Sequence, residues 1–181
     1  MAITAQYKTY YGIHLDHWTE SWGDINYHKI LVKEYLDDEI RSTASASSSA
    51  SITFLYPELV KSSYVLNGKG QGHFKIYNKS TSSTVTITGY TVTVKKINNA
   101  GTETDIATHT ETLASNNSVV SQDYMAIPFF LTFSKAEINE NEKIALKLNI
   151  TGGSDLCFTF DNWQDTEDIK IELPFAPITG G

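Results

Sequence analysis

Ile144, Leu146, Leu148 and Ile150 alternate against Lys143, Lys147 and Asn149. An extended strand sends successive side chains to opposite faces, so strict period two places four apolar groups on one side and leaves the other wet. No helix can collect such a row on one stripe. The pattern recurs at Ile127, Phe129, Leu131 and Phe133, at Leu156, Phe158 and Phe160, and at Ile169, Ile171 and Leu173. Strands with one apolar and one polar face belong to antiparallel sheets. Eight or so of them at this spacing predict an all-β chain, an antiparallel β-sandwich or jelly-roll over residues 52–173. Ile144, Leu146, Leu148, Ile150, Phe158, Phe160, Ile169 and Ile171 are expected in its core.

The earlier half reads the same way with more interruptions. Ile52, Phe54 and Tyr56 alternate until Pro57. Asn67 to Gly72 (Asn-Gly-Lys-Gly-Gln-Gly) reads as a glycine-rich turn before Phe74 and Ile76. Val85 and Ile87 share one face, and Tyr90, Val92 and Val94 take the opposite phase, so a bulge or a strand break is expected at Gly89. Asn98-Asn-Ala-Gly101 is a turn, with Asp105 to Leu113 returning as the partner strand. Pro128 marks an edge or a bulge. Tyr27 to Ile40 fits a helical stripe or an extended segment, and Ser134 to Asn141 has a weak capping box for one helical turn.

Residues 1–41 hold seven aromatic side chains, including two of the three tryptophans. Aromatic residues give large contact area at low entropy cost. The stretch is therefore expected to be an interaction arm or extension, with Tyr10, Tyr11, Trp18 and Trp22 as candidate interface residues. Ser42 to Ser51 is a Ser/Ala run that reads as a linker or as a strand of tiny side chains. Residues 174–181 form a tail.

Composition narrows the function. The chain of 181 residues carries 14 Lys+Arg against 21 Asp+Glu, and Arg41 is its sole arginine. A net charge of −7 with one bidentate phosphate reader makes no nucleic-acid surface. The 38 Ser and Thr suit strands and polar loops. The first residues lack the basic and apolar regions of a leader, and no apolar run approaches the ~20 residues of a membrane helix. A soluble protein made in the cytosol, with no membrane partner, is expected. Cys157 stands alone, which excludes an internal disulfide. The sequons at Asn78, Asn116 and Asn149 read as chance.

No motif assembles a reaction. His14-Leu-Asp-His17 with Glu20, Asp24 and His28 has the right donors for zinc but matches no ligand spacing. Asp161 to Asp168 is an acidic loop without the order of a calcium loop. The glycine-rich segment at 67–72 lacks the Gly-Lys-Ser/Thr of a phosphate loop. There is no Gly-x-Ser-x-Gly elbow, and Cys157 falls out of phase with Leu156 and Phe158, on the expected wetter face, with no neighbouring His. The expectation is therefore no enzyme, no metal and no cofactor. Trp18, Trp22, Trp163 and ten Tyr leave a sugar-binding reading open beside a protein interface.

Lys95-Lys-Ile-Asn-Asn-Ala-Gly-Thr-Glu-Thr-Asp-Ile-Ala-Thr108 is a long-hairpin pattern. Ala126 to Ser134 and then Asn141 to Ile150 follow it. This run of strand, polar turn and amphipathic strand, over about residues 52–173, resembles β-sandwich structural proteins of tailed bacterial or archaeal viruses. These include capsid decoration proteins and accessory proteins of the head, neck or tail. The resemblance implies a non-enzymatic part of a virus particle with no catalytic residues. Its partners would be other virion proteins and its own copies, and it would be made in the host cytoplasm. A carbohydrate- or receptor-binding sandwich is the alternative.

Overall fold

A computed structural model of the chain describes residues 6–14, 20–22, 25–27, 29–33, 51–57, 63–114, 117–159 and 168–176. They contain thirteen strands: β1 (Gln6–His14), β2 (Glu20–Trp22), β3 (Ile25–Tyr27), β4 (Lys29–Val32), β5 (Ser51–Leu55), β6 (Tyr64–Asn78), β7 (Val85–Asn98), β8 (Glu103–Thr112), β9 (Ser118–Val119), β10 (Tyr124–Ile138), β11 (Glu142–Gly152), β12 (Leu156–Thr159) and β13 (Lys170–Ala176). The all-β, antiparallel expectation holds.

The strands follow one hydrogen-bonded path, β10-β6-β13-β1-β4-β5-β11-β7-β8, with β12 beside β6 and β9 beside β7. Every pair is antiparallel except β4 with β5. The path folds back on itself, so its two end strands, β10 and β8, lie against each other. A front layer, β10-β6-β13-β1, faces a back layer, β5-β11-β7-β8, over one apolar core. Rings cross between the layers: Phe74 on β6 meets Tyr90 on β7 edge-on at 5.4 Å, and Tyr10 on β1 meets Tyr56 at 4.9 Å. The Tyr90 hydroxyl donates to the Pro128 carbonyl at 3.2 Å. Ile144, Leu146, Leu148, Ile150, Phe158, Ile169 and Ile171 are all buried, as their alternation predicts. Phe160 lies outside the described residues.

Several local expectations hold. The register of β11 against β7 slips where Thr151 faces Gly89 and Gly152 faces Ile87, so the interruption expected there is a bulge and not a strand break. The Asn98 turn closes with the Gly101 N–H donating to the Asn98 carbonyl and Gly101 at φ 81°. Pro128 sits on β10, which pairs on one side with β6 and ends the path.

Others are corrected. β13 runs on to Ala176 with Phe175 buried, so Pro174 to Ala176 belong to the sheet and not to the tail expected over 174–181. The glycine-rich segment at 67–72 is the middle of the long strand β6. Gly70 and Gly72 face inward there, under the rings of Phe133 and Phe129. A Cβ on Gly72 would lie 2.7 Å from Phe129 and 2.1 Å from the Lys170 carbonyl oxygen. These glycines serve close approach between strands, and only Gly68, at φ 112°, needs the left-handed region. Ser134 to Asn141 forms no helical turn. β10 continues to Ile138 through a bulge at Lys135, and the chain reverses at Asn139 to Asn141. Within 27–40, Tyr27 ends β3 and Lys29–Val32 form β4, so these residues are extended and not helical. Residues 34–50 lie outside the description, and with them the proposed linker over 42–51 except Ser51, which begins β5.

The N-terminal stretch is no separate arm where it is described. β1 runs through the interior of the path, with Gln6 to Tyr11 registered against Phe175 to Lys170 on β13 and Tyr11 to His14 against Val32 to Lys29 on β4. β2 and β3 form a hairpin on the outer face of the back layer, where Tyr27, Leu55, Ile97 and Ala145 make a second small core with Trp22 packed on it. That cover explains why β11 is buried on both faces from Lys143 to Leu146, instead of keeping a wet side.

Candidate functional site

The interface residues expected from sequence separate in the structure. Tyr10 is 2% exposed, with its ring in the core, so it is unavailable to a partner. Inward alternation on β1 puts Tyr10 and Gly12 inside, and Gly12 leaves room for Phe54 and Ile169. Tyr11 points outward and is half-buried opposite Lys170. Trp22 is half-buried in the hairpin, where its indole N–H donates to the Ile97 carbonyl at 2.8 Å and the Lys143 ammonium lies 4.5 Å above its ring. It fastens the hairpin and is not presented outward. Trp18 lies outside the described residues, as do His17, Asp24, His28 and Asp161 to Glu167.

The exposed aromatic surface is elsewhere, on the outer face of the front layer. Pairing fixes its rows across the sheet. Phe130 faces Gln71, which faces Glu172, and Pro128 faces His73, which faces Lys170. Phe130 is 62% exposed although Phe129 and Leu131, on either side, are fully buried. Tyr7, near the start of β1, is 57% exposed. Two adjoining depressions share Phe130, Gln71 and Glu172. One extends to Tyr7 and Lys69, the other to Pro128, His73 and Lys170. The Gln71 amide donates to Glu172 at 2.9 Å, and Lys170 lies 3.9 Å from the other carboxylate oxygen. The patch thus joins exposed rings to a hydrogen-bonded amide–carboxylate pair. Phe130 carried a signal in the sequence: it is a large apolar residue at the polar phase of a clean alternation.

Further along the same face, the Tyr77 and Tyr124 rings lie tilted against each other at 4.8 Å, with the Lys75 ammonium 4.9 Å from the Tyr124 ring centre. Lys75 also pairs with the buried Asp168 at 3.6 Å, and the Thr159 hydroxyl donates to that carboxylate at 3.0 Å. This cluster ties β6, β12 and the start of β13 together.

Reactive groups are muted. Cys157 is fully buried, which corrects its expected place on a wetter face, and its thiol donates to the Tyr77 carbonyl. Burial pushes that thiol up, against Lys79, so little thiolate forms. His109 pairs with Glu111 at 3.0 Å, and among the described residues no Ser or Cys hydrogen-bonds to that imidazole. No three His, Cys, Asp or Glu side chains converge among the described residues. Asn78, in the first sequon, is fully buried, its amide donating to the Ser83 and Val119 carbonyls, so a glycosyltransferase could not reach it.

No family model matches the chain, and no curated protein does. Solved structures do. The chain is similar over 95% of its length to a CocE/NonD family hydrolase from Staphylococcus aureus, with a TM-score of 0.61 and 11% identity. A second structure, also titled a CocE/NonD family hydrolase from that organism, gives 0.55 at 12% identity over 96% of this chain. An aminopeptidase from a marine sediment archaeon, Thaumarchaeota archaeon, gives 0.52 at 9% identity over 96%. This chain spans only 37%, 37% and 34% of those structures. At such identities the likeness is one of fold alone, and fold carries no chemistry with it.

Proposed function

We propose that the protein works by binding and not by catalysis, and that it binds with the outer face of its front layer. Phe130 carries this reading: a large ring held outward from the middle of a rigid strand, beside an oriented Gln71–Glu172 pair. Phe130 is not isolated, since it lines one depression with the exposed Tyr7, and adjoining exposed rings mark an interaction surface. Against catalysis stand the buried thiol of Cys157 and the His109–Glu111 pair, which lacks a nucleophile among the described residues.

The narrower role, a structural component of a virus particle seated on other virion proteins or on its own copies, is a further proposal supported by the sequence resemblance. The alternative, carbohydrate or receptor recognition, is supported by the composition of the Phe130 patch. Two measurements on the full chain test the common ground. Hydrolysis of nitrophenyl esters and amino-acid amides should stay at the buffer rate; turnover that co-elutes with the protein and is lost on unfolding overturns the non-catalytic reading. Light scattering over a hundredfold concentration range, for the chain and its Phe130→Asp variant, tests the virion role. Phe130-dependent assembly supports it, and a monomer throughout removes contact between its own copies.

A further inference from the structure

We propose that the ligand of the Phe130 face is an uncharged oligosaccharide, lying across the front layer from Phe130 on β10 to Tyr7 on β1. This rests on the reading of that face as a binding surface.

The argument begins with charge. The chain carries −7 overall, yet this patch is close to neutral, with Lys69 and Lys170 set against Glu172. Glu172 takes a hydrogen bond from Gln71 on one oxygen and faces the Lys170 ammonium at 3.9 Å on the other. Nearby on the same face, Lys75 is paired with Asp168. With Lys170 and Lys75 matched to carboxylates, Lys69 alone makes no row for phosphates, whose recognition rests on releasing counterions from the ligand. A charged peptide would have to break these pairs. An uncharged polyol needs only to accept from, and donate to, groups already held in place.

Geometry agrees. A protein interface concentrates its aromatic anchors in a core depleted of charge, ringed by a polar rim. Here the order differs: Lys69, Gln71 and Glu172 lie between the two rings. A sugar ring presents apolar C–H faces above and below and hydroxyls around its edge. The C–H face suits the electron-rich face of Phe130 or Tyr7, and the hydroxyls suit the amide, carboxylate and ammonium groups between them. β10 and β1 stand three strand spacings apart, about 14 Å, a distance for several linked sugar units and too long for one. The support is rigid as well. β6 is pressed onto the Phe129 and Phe133 rings through Gly70 and Gly72, so Gln71 is fixed in register between its neighbours.

The test is affinity electrophoresis of the full chain in native gels containing neutral polysaccharides (β-glucan, mannan, galactan), with dextran sulfate as the charged control. Retardation in at least one neutral gel is expected. Phe130→Ala and Gln71→Ala should each weaken it at least tenfold, and Tyr7→Ala severalfold, with melting temperatures held within a few degrees. Tetrasaccharides of the retarding polymer should compete and the monosaccharide should not. No retardation in any neutral gel, retardation by dextran sulfate alone, or retardation unchanged by Phe130→Ala overturns the inference. Phe130-dependent self-assembly without retardation would also overturn it while leaving the binding reading intact. Hydrolytic turnover would sink that reading separately.

Discussion

A Cβ on Gly72 would sit 2.1 Å from the Lys170 carbonyl oxygen and 2.7 Å from the Phe129 ring. The first neighbour is backbone and cannot turn aside, so the β6–β13 pair must part to admit a methyl group. Gly72→Ala is expected to cost about 3 kcal/mol, at the upper end for an overpacked site. Urea unfolding checks it, and a loss below about 0.5 kcal/mol would show that β6 is not pressed on its neighbours. Tyrosines set a different dependence. Burial pushes the Tyr64 phenol far above its ordinary value, with Tyr10 and Tyr56 adding to the effect, and Tyr27 and Tyr90 are raised for the same first cause. Above pH ~10 the unfolded chain releases phenolic protons that the folded chain retains. Bound protons then favour the folded state, so stability falls as pH rises; below about pH 9 these groups contribute no slope. Melting temperatures measured from pH 8 to 11.5 should decline beyond pH 10, and Tyr64→Phe should flatten the decline. A parallel curve for the variant would remove Tyr64 from the explanation.

At the scale of elements, the β2–β3 hairpin depends on Trp22, whose N–H reaches the Ile97 carbonyl and whose ring covers Lys143. Trp22→Ala should cost about 2 kcal/mol, less than truncation of a fully buried Trp. It should also expose Ile97 and Ala145 amides to hydrogen exchange without disturbing β10. Leu146→Ala, in the main core, should cost 2–5 kcal/mol, roughly as other buried leucines do. The hairpin also shows what could be read beforehand. Strands whose apolar rows alternate without interruption, such as Ile144 to Ile150, declared themselves because each residue's burial follows from its own phase. The interruption at Gly89 was legible for the same reason, as a slip of that phase. β6 was not, since glycines in a strand look like a turn until the rings that cover them are known, and Phe129 and Phe133 lie some sixty residues away. Cys157 was misplaced because period two assumes one wet face, and β12 is buried on both. Tyr10 and Trp22 looked like partners for another molecule because their true neighbours, on β5, β7 and β13, are distant in sequence. Phe130, the residue on which the candidate site turns, stood in plain view as a break in alternation and was absorbed into the strand around it.

For the whole molecule, the interior place of β1 makes a definite statement about truncation. A chain shortened to begin at Ser51 loses β1 and β4 and leaves β13 and β5 with open edges. It should show no cooperative melting and should aggregate, as sheets with exposed edges do. A folded, cooperatively melting fragment would mean that the remaining strands close without them. The same arrangement governs the order of events in folding. β1 waits for β13, separated from it by nearly the whole described chain, so the sheet closes late and through distant contacts, the slow regime for β proteins. It also shapes how such a unit can be used. Gln6 and Phe175 face each other across neighbouring strands, so the described chain enters and leaves the sandwich side by side. Nothing in the layers between need move for a longer polypeptide to carry the unit like a bead on a loop. By the same reasoning the chain could be rejoined there and reopened at the exposed Asn98 to Gly101 turn, giving a permuted protein with an unaltered Phe130 face.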